Sequence, residues 1–315
     1  MQTLADAGEH EVIGEIVAAA PSALNGDDAA VLFPAPPNSR TVASTDTMVE
    51  GRHFKREWSR PEEIGKKAIT QNFADIEAMG ARPVAALLAM SAPSDTPVAF
   101  VRGVAEGIAA RCGDYTAELV GGDLTRSEEI VVTVTAIGAL GGSMPALALT
   151  RARAGQSIVA HGRLGWSAAG LDLLRAFGRE LPAGHERLGA LIDQHCVPWL
   201  SPGRGVIARA TGATAATDNS DGLVPDLGIF ARRSGVQMDL NADAIAPDEL
   251  LEEAGVLLGI DPWKWVLSGG EDHTLLVTTA KDAPSGFRPI GRVLKGEGVT
   301  LDGKPADYEE GWVSF

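Results

Sequence analysis

Two carboxylates, Asp218 and Asp221, stand three residues apart in ATAATDNSDGLVPDLG (213–228), where an apolar run gives way to a glycine and a helical pattern. A strand-to-helix turn exposes backbone N–H groups and suits an anion. Carboxylates there would repel a phosphate unless a cation stood between them. The pattern recurs in NGDDAAVLF (Asp27, Asp28), VASTDTMVEG (Ser44, Thr45, Asp46), LVGGDLTR (Gly122, Asp123) and LSGGEDHTLL (Glu271, Asp272). Asp75 in QNFADIEAMG adds a carboxylate on a helical face, with Asn72 three residues before it on the same side. Any one of these acids alone reads as a turn or cap. Sharing a cleft, they would repel one another strongly at low dielectric and so imply cations. Oxygen donors without neighbouring His or Cys select Mg²⁺ or Mn²⁺ over Zn²⁺, and Mg²⁺ commonly completes its shell with substrate phosphates.

The elements that must position these acids alternate along the chain. GEHEVIGEIVAAAP has the apolar spacing of an amphipathic helix, and AAVLF and RTVAST read as strands, the second running into Asp46. A long helix is expected over 59–80, stopped by Gly80, followed by the buried-strand run VAALLAM and the helix VAFVRGVAEGIAARCG. AELVGG and EIVVTVTAIGAL flank Asp123 as strands. Residues 141–155, rich in Gly and Pro, read as a crossover, after which strands and helices alternate again to a closing hairpin. The expectation is α/β (α+β) with two domains, 1–141 and 142–315.

Bulk properties exclude several function classes. The chain of 315 residues carries a formal charge of −15, which disfavours nucleic-acid binding because phosphate backbones need Lys and Arg. Two cysteines without CxxC spacing fit a reduced compartment and exclude a Cys-rich zinc site. No apolar run reaches membrane-spanning length and the N-terminus is acidic, so a cytoplasmic protein without membrane association is expected.

Familiar phosphate cradles are missing. GVTLDGKP approaches a Walker A loop, but Pro305 stands where Ser or Thr would hold Mg²⁺, and Asp302–Gly303 is a better hairpin turn. No GxGxxG follows a strand, and GWSAAG is not a nucleophile elbow. Lys66 and Lys67 are expected on an exposed helix face, since lysines are seldom buried. His53, shortly beyond Asp46, reads equally as a surface histidine or a site residue.

Taken in order, GDDAAV, STDTMVEGRHF, QNFADIEAMGA, LVGGDLTR, TDNSDGL and LSGGEDHTLL resemble the thiamine-monophosphate kinase family, within the superfamily of aminoimidazole ribonucleotide synthetase. The resemblance implies that superfamily's two-domain fold, with the N-terminal sheet pairing across a homodimer, and ATP-dependent phosphorylation of thiamine monophosphate. It implies that Asp27, Ser44, Thr45, Asp46, Asp75, Asp123, Asp218 and Asp221 hold several Mg²⁺ ions. Gly122, Asp123 and Ser220 would lie along ATP, and His53, Glu271 and Trp312 would line the thiamine phosphate site. The family's junction arginine, which contacts ATP, aligns with either Leu149 or Arg151; Arg151 alone has the side chain for that contact. His273 and Val101 depart from the family's frequent Tyr and aromatic residues. No protein general base is expected, because a monophosphate oxygen is already ionised near neutral pH. The alternatives are another synthetase of the superfamily, or a non-catalytic regulator that binds nucleotide or thiamine phosphate.

Overall fold

The computed structural model describes residues 2–24, 30, 32, 38–306, 308 and 311. The chain divides into two compact units. The first runs to Ile76 and resumes over Arg82–Ser143; the second holds Glu77–Ala81 and everything from Met144 onward. The sequence expectation had no reason to assign 77–81 to the second unit. The cause is local: Glu77 accepts from the Gly203 and Gly205 amides, both at 2.6 Å, and the Leu147 amide donates to the Met79 carbonyl at 3.1 Å.

The first unit contains α1 (Leu4–Ala7), α2 (Glu9–Ala19), β1 (Arg40–Val49), α3 (Pro61–Ala78), β2 (Arg82–Ala92), α4 (Val98–Asp114), β3 (Glu118–Arg126) and β4 (Val131–Leu140). Its sheet has the order β1-β4-β2-β3, with only the β2–β3 pair parallel. Strand alternation gives the sheet two unlike faces. Val132, Val134 and Ala136 of β4 are fully buried, as are Ile64, Ile69 and Phe73 of α3 and Val104 and Ile108 of α4. Burying each of the larger side chains contributes about 1.5–3 kcal/mol. The other face carries Thr45 and Thr47 of β1 beside Thr135 and Thr133 of β4, with Leu87 exposed on β2. Helices α3 and α4 cross closely through glycine: a Cβ at Gly65 would lie 2.1 Å from the Val104 carbonyl oxygen, and one at Gly107 would lie 2.0 Å from that of Glu62.

The second unit contains β5 (Ser157–His161), α5 (Trp166–Phe177), a 3₁₀ turn, α6 (Gly189–Cys196), α7 (Arg204–Ala210), β6 (Ala213–Asn219), α8 (Leu223–Ser234) and β7 (Gln237–Leu240). It continues with α9 (Ala242–Ile245), α10 (Glu249–Leu258), α11 (Pro262–Ser268), β8 (Thr274–Thr279), β9 (Arg288–Leu294), β10 (Gly298–Leu301) and β11 (Lys304–Pro305). Among the described residues these strands form one sheet, ordered β11-β10-β7-β9-β5-β8-β6. Every residue of β8 is buried, as expected of a strand inside a sheet covered on both faces. The Walker-like stretch is a hairpin: β10 and β11 pair antiparallel, and Asp302 and Gly303 turn between them at φ 49° and 76°. No helix among the described residues is long and apolar enough to cross a membrane.

Candidate active site

In the first unit, β1 and α3 meet polar side to polar side. Ser44 and Asp46 alternate onto the face that α3 covers. The Ser44 hydroxyl donates to Asp75 Oδ2, and the Asp46 amide donates to Asn72 Oδ1 at 3.1 Å. Asn72 is held in place because its Nδ2 donates to the Ala68 carbonyl at 2.9 Å. The i, i+3 spacing of Asn72 and Asp75 thus sets one against the backbone of β1 and the other against its side chains. Beyond the end of β1, His53 Nδ1 accepts from the Val49 amide at 3.1 Å, which orients the ring. Lys67 corrects the exposed-face expectation: it is 2 % exposed and donates through Nζ to the His53 carbonyl at 3.1 Å. A lysine seven residues from Ala74 on a long amphipathic helix gives no sequence signal of burial; the His53 carbonyl that its ammonium meets comes from outside the helix.

Two of the residues expected with this group stand apart from it. Thr45 turns its side chain to the opposite face, where its hydroxyl donates to the Val134 carbonyl at 3.0 Å and lies 3.1 Å from that of Thr135. Its hydroxyl therefore does not join Ser44 and Asp46, a consequence of the two-residue period of a strand. Asp123 is exposed on β3, at the sheet edge opposite β1. Gly122 beside it has a structural reason, since a Cβ there would lie 2.0 Å from the Leu88 carbonyl oxygen. Asp27 and Trp312 lie outside the described residues.

In the second unit, two motifs some fifty residues apart are bound together at one end of the sheet. The Glu271 amide donates to the Ser220 carbonyl at 2.8 Å and the His273 amide to that of Asn219 at 3.0 Å. His273 Nδ1 lies 3.0 Å from Asp218 Oδ2 in a buried pair. A Cβ on Gly270 would lie 2.2 Å from the Ser220 carbonyl oxygen, so glycine is required for this approach. Glu271 and His273 adopt φ 61° and 51°, a left-handed conformation that costs such residues on the order of 1 kcal/mol or more and is kept only where surroundings impose it. Glu271 also lies 3.5 Å from His195 Nδ1, the same nitrogen that faces Ser167 Oγ at 3.1 Å. With both neighbours on one nitrogen, these three do not form a nucleophilic relay.

Three further acids are held by backbone amides; the sequence pattern includes Asp272 but singles out neither Asp226 nor Glu77. Asp226 Oδ2 accepts from the amides of Asp221 and Gly222 at 3.0 and 3.1 Å, closing the turn that presents Asp221. Burial, reinforced by the charges of Asp218 and Asp221, pushes its carboxyl up to about 8. Asp272 accepts from the amides of Gly165 and Ser167 at 2.6 and 2.8 Å, and burial raises it to about 7. Burial likewise raises Glu77 to about 7 against its two amide bonds. The only trace of Asp226 in sequence is an acid four residues after Gly222, the spacing of a first helical turn. Arg151 folds back on its own loop, donating through Nη1 to the Ala146 carbonyl at 2.9 Å, while the Leu149 carbonyl accepts from the Ser234 hydroxyl.

Residues 26–140 match the family model for the N-terminal domain of AIR synthase related proteins. The chain is 60 % identical to the thiamine-monophosphate kinase of Corynebacterium glutamicum over 316 residues, covering 99 % of this chain and 95 % of that protein. The chain belongs to the thiamine-monophosphate kinase family. Its relative in Mycobacterium tuberculosis is 43 % identical, across 92 % of this chain and 85 % of that one. Among solved structures, AaThiL complexed with AMPPCP and TMP is 34 % identical with a TM-score of 0.81, covering 100 % of this chain and 99 % of its own. The family member from Stenotrophomonas maltophilia reaches 0.82 at 33 % identity, covering 94 % and 96 %. E. coli HypE shares the fold at 19 % identity and a TM-score of 0.74.

Proposed function

We propose that this family member transfers the γ-phosphoryl group of ATP to thiamine monophosphate, giving ADP and thiamine diphosphate. The observation that carries this reading is 60 % identity along almost the whole chain to a thiamine-monophosphate kinase. The AaThiL complex with AMPPCP and TMP supports the substrate pair.

Both reacting groups are anions, so the protein must position them and offset their charge. The oxygen donors fit Mg²⁺. Asp218 and Asp221 are close enough to raise Asp226, and a cation would relieve that crowding. The buried side-chain amide of Asn219 has no hydrogen-bond partner among the described residues, so its Nδ2 and Oδ1 have donor and acceptor capacity to spare beside them. Ser44, Asp46 and Asp75 in the first unit and Asp218 and Asp221 in the second are the proposed ligands, with Asp27, Asp123 and the backbone of Thr45 as further members. Bound Mg²⁺ would neutralise phosphate charge and hold phosphate oxygens in line.

The remaining work falls to this chain's own groups. Gly122, Asp123, Ser220 and Arg151 are assigned to ATP. His53, Glu271 and Trp312 are assigned to thiamine monophosphate: the His53 ring is fixed by the Val49 amide, and Glu271 is held by Ser220. Asn72, through the Asp46 amide, positions the strand end. The division of labour proposed is ATP and Mg²⁺ binding with dimerisation in the first unit, and completion of the ATP and substrate sites in the second. A C₂ homodimer is part of the reading, supported by the half-exposed face of Thr45, Thr47, Thr133, Thr135 and Leu87.

The test is incubation with ATP, Mg²⁺ and thiamine monophosphate, with products separated by charge. ADP and thiamine diphosphate should form in equal amounts. Free phosphate without thiamine diphosphate would overturn the reading. Light scattering checks the dimer, which a fully active monomer would exclude.

A further inference from the structure

A cavity of about 500 Å³ opens within the second unit, where β5 ends and β9 begins, apart from the carboxylates assigned above. Its walls include Arg163, Arg288, His161, Gln194, Trp166 and Trp199. The two guanidinium groups are close enough that Arg163 helps depress the Arg288 pKa, after burial as the larger cause. Neither forms an ion pair among the described residues. Arg163 lies over the Trp166 ring, 4.3 Å from its centroid, and Arg288 Nη1 donates to the Gly162 carbonyl at 2.7 Å. The one carboxylate in the wall, Asp248, is already occupied. Its Oδ1 accepts the amides of Leu250 and Leu251, both at 3.1 Å, and its Oδ2 accepts Trp166 Nε1 at 2.7 Å. His161 Nδ1 donates to the Gly286 carbonyl at 2.7 Å, and burial first, then Arg204 and Arg288, lowers the pKa of the ring.

Two like charges are thus gathered and oriented in a chain of net charge −15, with Asp248 the one carboxylate in the lining and in no ion pair with either among the described residues. Such an arrangement is costly when empty and favourable around an anion. Paired guanidinium groups suit phosphate oxygens in bidentate contact. Trp199, 47 % exposed, brings an indole into the cavity lining, and the volume is that of a small-molecule site. We propose that this cavity is a second, metal-independent binding site for a phosphate monoester of a planar heterocycle, with the phosphate on Arg163 and Arg288 and the ring against Trp199. Nucleotides and thiamine phosphates share this chemistry.

Metal dependence separates this site from the acidic one. In EDTA the carboxylates repel phosphate, whereas the arginine pair needs no metal. Titration calorimetry in EDTA with AMP, thiamine monophosphate and inorganic phosphate as probes should show saturable binding of at least one ester; which one binds identifies the source. Inorganic phosphate should bind about tenfold or more weakly than that ester. Arg163→Met, at an exposed position, should weaken the ester by about tenfold or more. Trp199→Ala should weaken the ester but not inorganic phosphate, and Asp46→Asn should change neither. Three results would each overturn the proposal: no ester binding in EDTA, binding that survives Arg163→Met, or inorganic phosphate binding as tightly as the esters. None of these readings depends on turnover, so failure here leaves the kinase reading untouched.

Discussion

Asp75 in the first unit and three acids of the second are held by different donors. In the first unit Asp75 meets a side-chain hydroxyl, that of Ser44. A hydroxyl is both donor and acceptor and can turn to share a cation. In the second unit Asp226, Asp272 and Glu77 each take two backbone amides from a turn or helix start, and burial raises all three. A backbone amide cannot rotate away, so these carboxylates close turns and belong to the fold. Carboxylates therefore serve two purposes here, and the donor distinguishes them.

The largest expected effect lies in the first unit. Asp46→Asn or Asp75→Asn should lower turnover by about 10²-fold or more. The metal-free melting temperature should hold or rise slightly, because a charge leaves a crowded site. Near-normal turnover at low Mg²⁺ in either variant would remove that residue from the ligand set.

Next come the acids that close turns. Asp272 and Glu77 use a separate oxygen for each amide, so Asp272→Asn and Glu77→Gln each leave one amide facing an NH₂ group. Each should cost about 1–3 kcal/mol in urea unfolding. Unchanged stability would show that backbone capping does not define this class.

Asp226 sharpens the distinction, because one oxygen takes both amides and Asn can keep both bonds. Its pKa is raised from 3.8 to about 8, so the folded state binds its proton more tightly than the unfolded state does. That contribution is favourable below the unfolded value and turns into a loss as pH rises through the window toward 8. Metal-free stability should therefore fall with pH there, and Asp226→Asn should flatten the slope. An unchanged slope would mean that Asp226 is ionised throughout.

The smallest effect is expected at Thr45, whose hydroxyl faces away from Ser44 and Asp46. Thr45→Val should leave turnover within about twofold, since it removes only an outer-face hydrogen bond. A loss as large as that of Asp46→Asn would place the hydroxyl at the metal.

Much of this protein was determined by local sequence. Alternating strand and helix patterns marked most described elements, Asp302–Gly303 marked the hairpin, and the ordered motifs from STDTMVEGRHF to LSGGEDHTLL marked the family. These follow from backbone preference and side-chain period, which act over a few residues. The period-two rule of a strand also separates the Thr45 side chain from those of Ser44 and Asp46. Tertiary structure alone decided the rest. It buried Lys67 against the His53 carbonyl, joined Asp218 to His273 and Ser220 to Glu271, and gave Glu77, Asp226 and Asp272 their amides. The Asp218–His273 and Ser220–Glu271 contacts arise because β6 and β8 are neighbours in the sheet although some fifty residues apart. Which acid meets a hydroxyl and which meets a fixed amide depends on long-range packing, and no spacing along the chain encodes it.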